Sequence, residues 1–233
     1  MPVKYKGEID MYFVKGIRPE LATNMMHVPN KKFFIMLQLL RIQDLEDSIF
    51  DKLSKELPAN LYFHNTYRTK DVYNLVDLFG RAEELTDEEN LLLRTTVLLN
   101  DVGFIWAYDN HEDSSINYAR EVLPKFKYLP EQVEMIIDLI EVTKGMRKPQ
   151  NRSEEILLDV EMNYLSRADF VTLNEFHYQE LIEHGKVISR EEWLREQIVL
   201  LSNHKYYTRV ANVLRDVSSE QQIENILAAS KKS

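Results

Sequence analysis

Cysteine is absent from this 233-residue chain. That excludes a disulfide framework, a thiolate metal site and a cysteine nucleophile, so any metal would be held by His, Asp, Glu and water. Glycine and proline are scarce, at 6 and 7 residues, leaving long stretches without a forced turn. No apolar run approaches the roughly 18 residues of a membrane span. The N-terminal stretch carries Lys4, Lys6, Glu8 and Asp10, unlike a signal peptide. A basic excess is also missing: 29 Lys and Arg stand against 38 Asp and Glu, a formal net charge of -9. Nucleic acid and anionic membrane surfaces are therefore poor partners, and a small molecule or another protein is the better expectation. Together these absences read as a cytoplasmic protein.

The chain has 44% hydrophobic residues, enough for a sizeable core. After Pro29 they recur mostly at helical spacing. Val133, Ile136, Ile137 and Ile140 follow Pro130 in the i, i+3, i+4, i+7 pattern, with proline suited to a first helical position. Thr86 with Glu89 and Ser189 with Glu192 have capping-box spacing, and Ser219 with Gln222 has its amide version. Further helices are expected over 31–40, 45–57, 61–79, 114–123, 154–167, 169–184 and 205–217. The expected fold is all-α, a helical bundle over residues 29–233. Residues 1–28 form an extension with a short β segment, because Ile9, Met11 and Phe13 alternate with Asp10, Tyr12 and Val14 up to Gly16. Such a strand pairs within its own chain or with a second copy, the latter giving a homodimer.

Four ordered blocks carry a resemblance. They are Tyr62-Phe63-His64 through Thr69-Lys70-Asp71-Val72, then Leu99-Asn100-Asp101-Val102-Gly103-Phe104, then Asn110-His111-Glu112-Asp113-Ser114-Ser115, and last Asp159-Val160-Glu161 followed by Tyr164-Leu165. Across about residues 57–215 this order is similar to the HD-domain superfamily, which includes cyclic-nucleotide phosphodiesterases and other metal-dependent phosphohydrolases. The short run Lys6-Gly7-Glu8-Ile9-Asp10-Met11-Tyr12-Phe13-Val14 resembles the end of class III adenylate and guanylate cyclase domains. That second resemblance implies a domain lying behind a cyclase domain or derived from such a fusion.

The first resemblance implies a helical bundle with a divalent metal (Mn, Fe, Mg or Zn), held by two His and two Asp and acidifying a water for attack on phosphorus. It implies that His64 is a proton donor to the leaving oxygen. Here His64 and Asp101 are retained, Arg68 and Asn100 stand at the two ligand His positions, and Glu161 stands at the distant ligand Asp. Asn and Glu keep an oxygen donor, but a guanidinium has no acceptor and does not deprotonate. Arg68 is therefore expected to act as a built-in cation, meeting Asp101 or Glu161 through charge-assisted hydrogen bonds in place of a cofactor. Asp159, His111 and Glu112 complete the candidate pocket, with His111 and Glu112 equally readable as an ordinary first helical turn, and Asn100 and Asp101 as caps of the turn at Gly103. Lys144, Arg147, Lys148 and Arg152 form a basic loop, read as solvated surface or as a phosphate contact.

Three functions remain open on this basis. One is a metal-free regulatory or interaction module linked to nucleotide signalling, partnered by a cyclase domain or another protein. A second is a phosphohydrolase or phosphodiesterase using a nonstandard metal site built on Asp101, Glu161, His111 and Glu112. In the third, the pocket binds a nucleotide or other phosphorylated molecule without hydrolysing it, with Arg68 as the clamp.

Overall fold

A computed structural model describes residues 2–3, 7–8, 16–23, 28–145, 147–186 and 189–231, and among these the chain is all-α, with ten helices. The compact units are 1–40 and 41–233. The sequence boundary at 28/29 follows the change from strand-like to helical pattern, whereas the units divide inside the first helix.

In the first unit, β1 (Pro2–Val3) pairs antiparallel with β2 (Gly7–Glu8). The rest of the expected strand, with Ile9, Met11 and Phe13, lies outside the described residues. A 3-10 turn at Pro19–Leu21 and a bridge between Ala22 and Pro29 lead to Asn30. Its side-chain oxygen accepts from the Phe33 N–H at 3.1 Å, satisfying a donor at the start of α1 (Lys31–Glu56). The two helices expected over 31–40 and 45–57 are this one helix. The charged stretch between them is no turn: Arg41 pairs with Asp44 at 2.9 Å and Gln43 with Asp47 at 2.9 Å, so these polar residues brace an exposed helical face.

The second unit is built around α3 (Asp87–Asn100). Every residue of α3 from Leu91 to Asn100 except Arg94 is buried, because α2 (Thr66–Ala82), α4 (His111–Val122), α5 (Pro130–Thr143) and α6 (Arg152–Glu161) surround it. Each fully buried Leu, Val or Ile there contributes roughly 1.5–3 kcal/mol relative to exposure. The apolar stripe of α5 faces this core through Val133, Ile136, Ile137 and Ile140. A second apolar cluster joins Leu165, Phe170, Leu201 and Ile226, from the 3-10 turn Asn163–Ser166, α7 (Phe170–Glu183), α8 (Arg190–Asn203) and α10 (Ser219–Ser230).

Side chains fix the helix starts. Thr86 and Glu89 form the full reciprocal box, and the Ser189 hydroxyl accepts from the Glu192 N–H at 3.2 Å. The amide box at Ser219 is displaced by one residue: Ser218 caps α10, accepting from the Gln221 N–H. Gln222 is instead buried and donates to the Arg167 carbonyl at 2.6 Å. The helix expected over 154–167 begins under the Asn151 cap and stops at Glu161. The one expected over 205–217 shrinks to α9 (Arg209–Val213), because Tyr207 and Thr208 give their N–H groups to Asp159.

Gly103 fixes the approach of α4 to the end of α3. A Cβ at Gly103 would lie 1.8 Å from the His111 carbonyl oxygen, a distance no packing tolerates. The adjacent Ser115 hydroxyl donates to the Asn100 carbonyl at 2.6 Å and accepts from the Gly103 N–H at 2.9 Å, closing the seam. Gly103→Ala is expected to cost about 3 kcal/mol or more in urea unfolding, since backbone must move to admit the methyl. A loss under about 1 kcal/mol would show that the seam is compliant.

Candidate functional site

The residues leading into α2 do not form a helix, and this decides how His64 is aimed. Asn65 is the N-cap: its side-chain oxygen accepts from the Tyr67 and Arg68 N–H groups, and its amide donates to the Tyr62 carbonyl at 2.7 Å. The helix expected from Leu61 thus starts at Thr66. A helix running back to Leu61 would put His64 and Arg68, four residues apart, on one face; His64 lies before the cap instead.

Arg68, in the first turn of α2, reaches between α3 and α6. Its Nη1 donates to Asp101 at 2.8 Å and its Nη2 to the Glu161 carboxylate, so the guanidinium lies between the two expected carboxylates. All three side chains are largely buried. Burial disfavours the charge on Arg68, but Glu161 and Asp101 outweigh it and hold the guanidinium protonated beyond its ordinary range. Burial raises the Glu161 carboxyl above its ordinary range; Arg68 pulls against this and Asp101 adds to it. Asn100 completes the cluster. Its side-chain oxygen accepts from the Thr143 hydroxyl at 2.9 Å, which turns its amide toward Glu161 at 3.4 Å. Neither Asn100 nor Asp101 uses its side chain to cap Gly103, whose N–H goes to Ser115.

His64 is held from the other side by a residue the sequence reading missed. Glu180 of α7 is fully buried and accepts from the Phe63 N–H at 2.8 Å, the His64 N–H at 3.0 Å and the Tyr108 hydroxyl at 3.2 Å, while His64 Nδ1 lies 2.5 Å away. Burial alone would raise the Glu180 carboxyl, but His64 and the two backbone donors hold it down at about 2. An ionised carboxylate only accepts, so Nδ1 carries the proton and Nε2 is the nitrogen left for chemistry. The signal for Glu180 was a carboxylate three residues beyond His177, on the side of α7 that buries Phe170 and Asn174.

His111 and Glu112 open α4, with His111 Nδ1 3.5 Å from the Glu112 carboxylate. The His111 ring stacks on Phe104 at 3.7 Å, and His64 stacks on the same ring at 4.6 Å. Burial lowers His111 below its ordinary value despite the pull of Asp101 and Glu112. Asp159 does not join this group. It is fully buried and accepts from the N–H groups of Tyr207 and Thr208 and the Thr208 hydroxyl, a purely structural duty. Three of the four residues of the basic loop are engaged as well: Arg147 donates both amino groups to Glu154, Lys144 pairs with Asp113 and Glu141, and Arg152 with Glu155, while Lys148 is exposed.

The divalent metal implied by the resemblance does not fit these residues. The guanidinium stands between the two oxygen donors, and among the described residues no group of three or more His, Asp and Glu is arranged to hold a metal ion. Among the described residues, no helix is long and apolar enough to cross a membrane.

No protein-family model matches the chain. A protein of Clostridium beijerinckii, described only as uncharacterized, is 29% identical over 100 residues, covering 41% of this chain. The match spans 63% of that protein's length. No solved structure matches.

One largely buried imidazole makes stability fall toward acid pH. His177 stacks on Phe63 at 4.4 Å and its Nδ1 has no hydrogen-bond partner. Burial, together with nearby His64, pushes it from its ordinary 6.5 down to about 3. The unfolded chain therefore takes this proton first, so the contribution is complete above pH 6.5 and is lost as pH falls toward 3. His111 and His204 are also lowered and act in the same direction. Urea unfolding should show stability declining from pH 7 to pH 5, with His177→Phe declining less steeply by up to about 1.4 kcal/mol per pH unit. Parallel slopes would remove His177 from this role.

Proposed function

We propose that this chain is a degenerate member of the HD-domain superfamily, in which a guanidinium stands in for the divalent cation, retained as a regulatory or ligand-binding module without metal-dependent hydrolase activity. What supports this most is Arg68 between Asp101 and Glu161. A catalytic divalent ion needs open positions for water and substrate. A guanidinium supplies charge but has no such positions and activates no water. The clamp on phosphate is the weaker reading, because both amino groups of Arg68 are already donated to carboxylates that a phosphate would have to displace. The link to cyclase signalling rests on the N-terminal resemblance alone.

The test is restoration. Wild-type protein equilibrated with manganese, iron or zinc and then desalted should retain about none, while Arg68→His with Asn100→His should retain about one ion per chain, since two neutral imidazoles then join the carboxylates. Wild-type retention of a metal that is lost in Asp101→Ala, together with chelator-sensitive hydrolysis of a phosphodiester, would favour the active hydrolase instead.

A further inference from the structure

A cavity of about 530 Å³ lies between α2 and the segment running from the end of α6 into α7, and Arg68 and Glu161 form part of its wall. His64, Asp101 and His111 do not line it, so it is a compartment beside the polar cluster. Its volume is that of a small-molecule site. Phe63, Tyr164, Val72 and Leu75 contribute to an apolar lining. At the mouth, Tyr67, Leu78 and Phe176 expose 81%, 50% and 42% of their surface, a cost an apolar rim bears in water unless something covers it.

The charges on the wall decide the kind of occupant. Two cations and two anions line the cavity: Arg68, Arg167, Asp71 and Glu161. Arg68 is taken by Asp101 and Glu161, and Arg167 by Asp169 at 2.7 Å and Asp71 at 3.2 Å. Within the wall itself two cations meet two anions, and neither guanidinium is free for an anion, which would have to compete with two carboxylates at either arginine. The side-chain amides of Asn74 and Asn163, by contrast, line the cavity without a hydrogen bond to any described residue. An amide offers both a donor and an acceptor, matching a neutral polar group such as a carbonyl, hydroxyl or carboxamide.

We propose that this cavity binds an uncharged, mainly apolar aromatic small molecule carrying one neutral hydrogen-bonding group. The assignment goes beyond the metal-free reading of the cluster and holds whether or not that reading does. Arg68 and Glu161 belong both to the cavity wall and to the ion cluster.

The probes are N-phenyl-1-naphthylamine, which is uncharged, and 8-anilinonaphthalene-1-sulfonate, its anionic counterpart, titrated by fluorescence into the full chain. The neutral probe is expected to saturate at one site, with the sulfonate at least about tenfold weaker, because the buried anion meets no free cation. Leu75→Trp, which fills the cavity, and Leu78→Glu, a charge at the half-exposed rim that leaves the core intact, should each weaken the neutral probe about tenfold or more. Val199→Ser, on the exposed face of α8, should leave it unchanged. Equal or tighter sulfonate binding, binding insensitive to both cavity substitutions, or no binding at all would overturn the proposal. So would concentration-dependent dimerisation abolished by Leu78→Glu, which would assign the rim to a second copy of the chain.

Discussion

The second unit is organised around one buried cation shared by two carboxylates. A guanidinium taken out of water is costly, and each carboxylate is costly too, so none is tolerable there without the others. Arg68 satisfies Asp101 and Glu161 simultaneously through separate amino groups, a geometry that a planar fork provides and a point charge does not. That requirement ties together the beginning of α2, the end of α3 and the end of α6, the three places where these side chains originate. The surrounding contacts serve the same alignment. Asn65 fixes the first turn of α2, Thr143 orients the Asn100 amide, and Gly103 with Ser115 allows α4 to close on the end of α3.

The meeting of Arg68 with both carboxylates was readable from residue types, because a guanidinium has no acceptor and does not titrate, and so has few partners but carboxylates. The α5 stripe and the start of α3 at its Thr86–Glu89 box were equally legible, the first from its apolar spacing and the second from its residue types. Polar residues that serve the backbone were not. Asn65 could be known as a cap only once Tyr67 and Arg68 were seen to donate to it, and without it the helix reads back to Leu61. Asp159 sits two residues before Glu161 and looks interchangeable with it. Yet it is committed to Thr208, almost fifty positions along the chain, and so shortens a helix that periodicity alone extends. Glu180 was hidden for the same reason: a buried carboxylate is intelligible only with its donors in place, and those come from Phe63, His64 and Tyr108.

Two compartments thus flank Arg68. On one side a histidine oriented by a buried carboxylate retains a free Nε2 beside Phe104 and His111. On the other lies an apolar cavity with a balanced wall. Arg68 and Glu161 belong both to the ion cluster and to the cavity wall, a partition common to the two. A guanidinium suits such a partition better than a metal ion, since it is covalently attached and cannot be lost by dilution or chelation.

The central claim is that Arg68 is the structural counter-ion of Asp101 and Glu161, and urea unfolding of two variants tests it most directly. Arg68→Met alone should cost about 3–5 kcal/mol, because two buried carboxylates lose their cation. Combining it with Asp101→Asn and Glu161→Gln should recover most of that loss, because the charges that needed the guanidinium are gone. If Arg68→Met alone is as stable as the wild type, or if the triple variant is no more stable than the single one, the guanidinium is not what holds this cluster together.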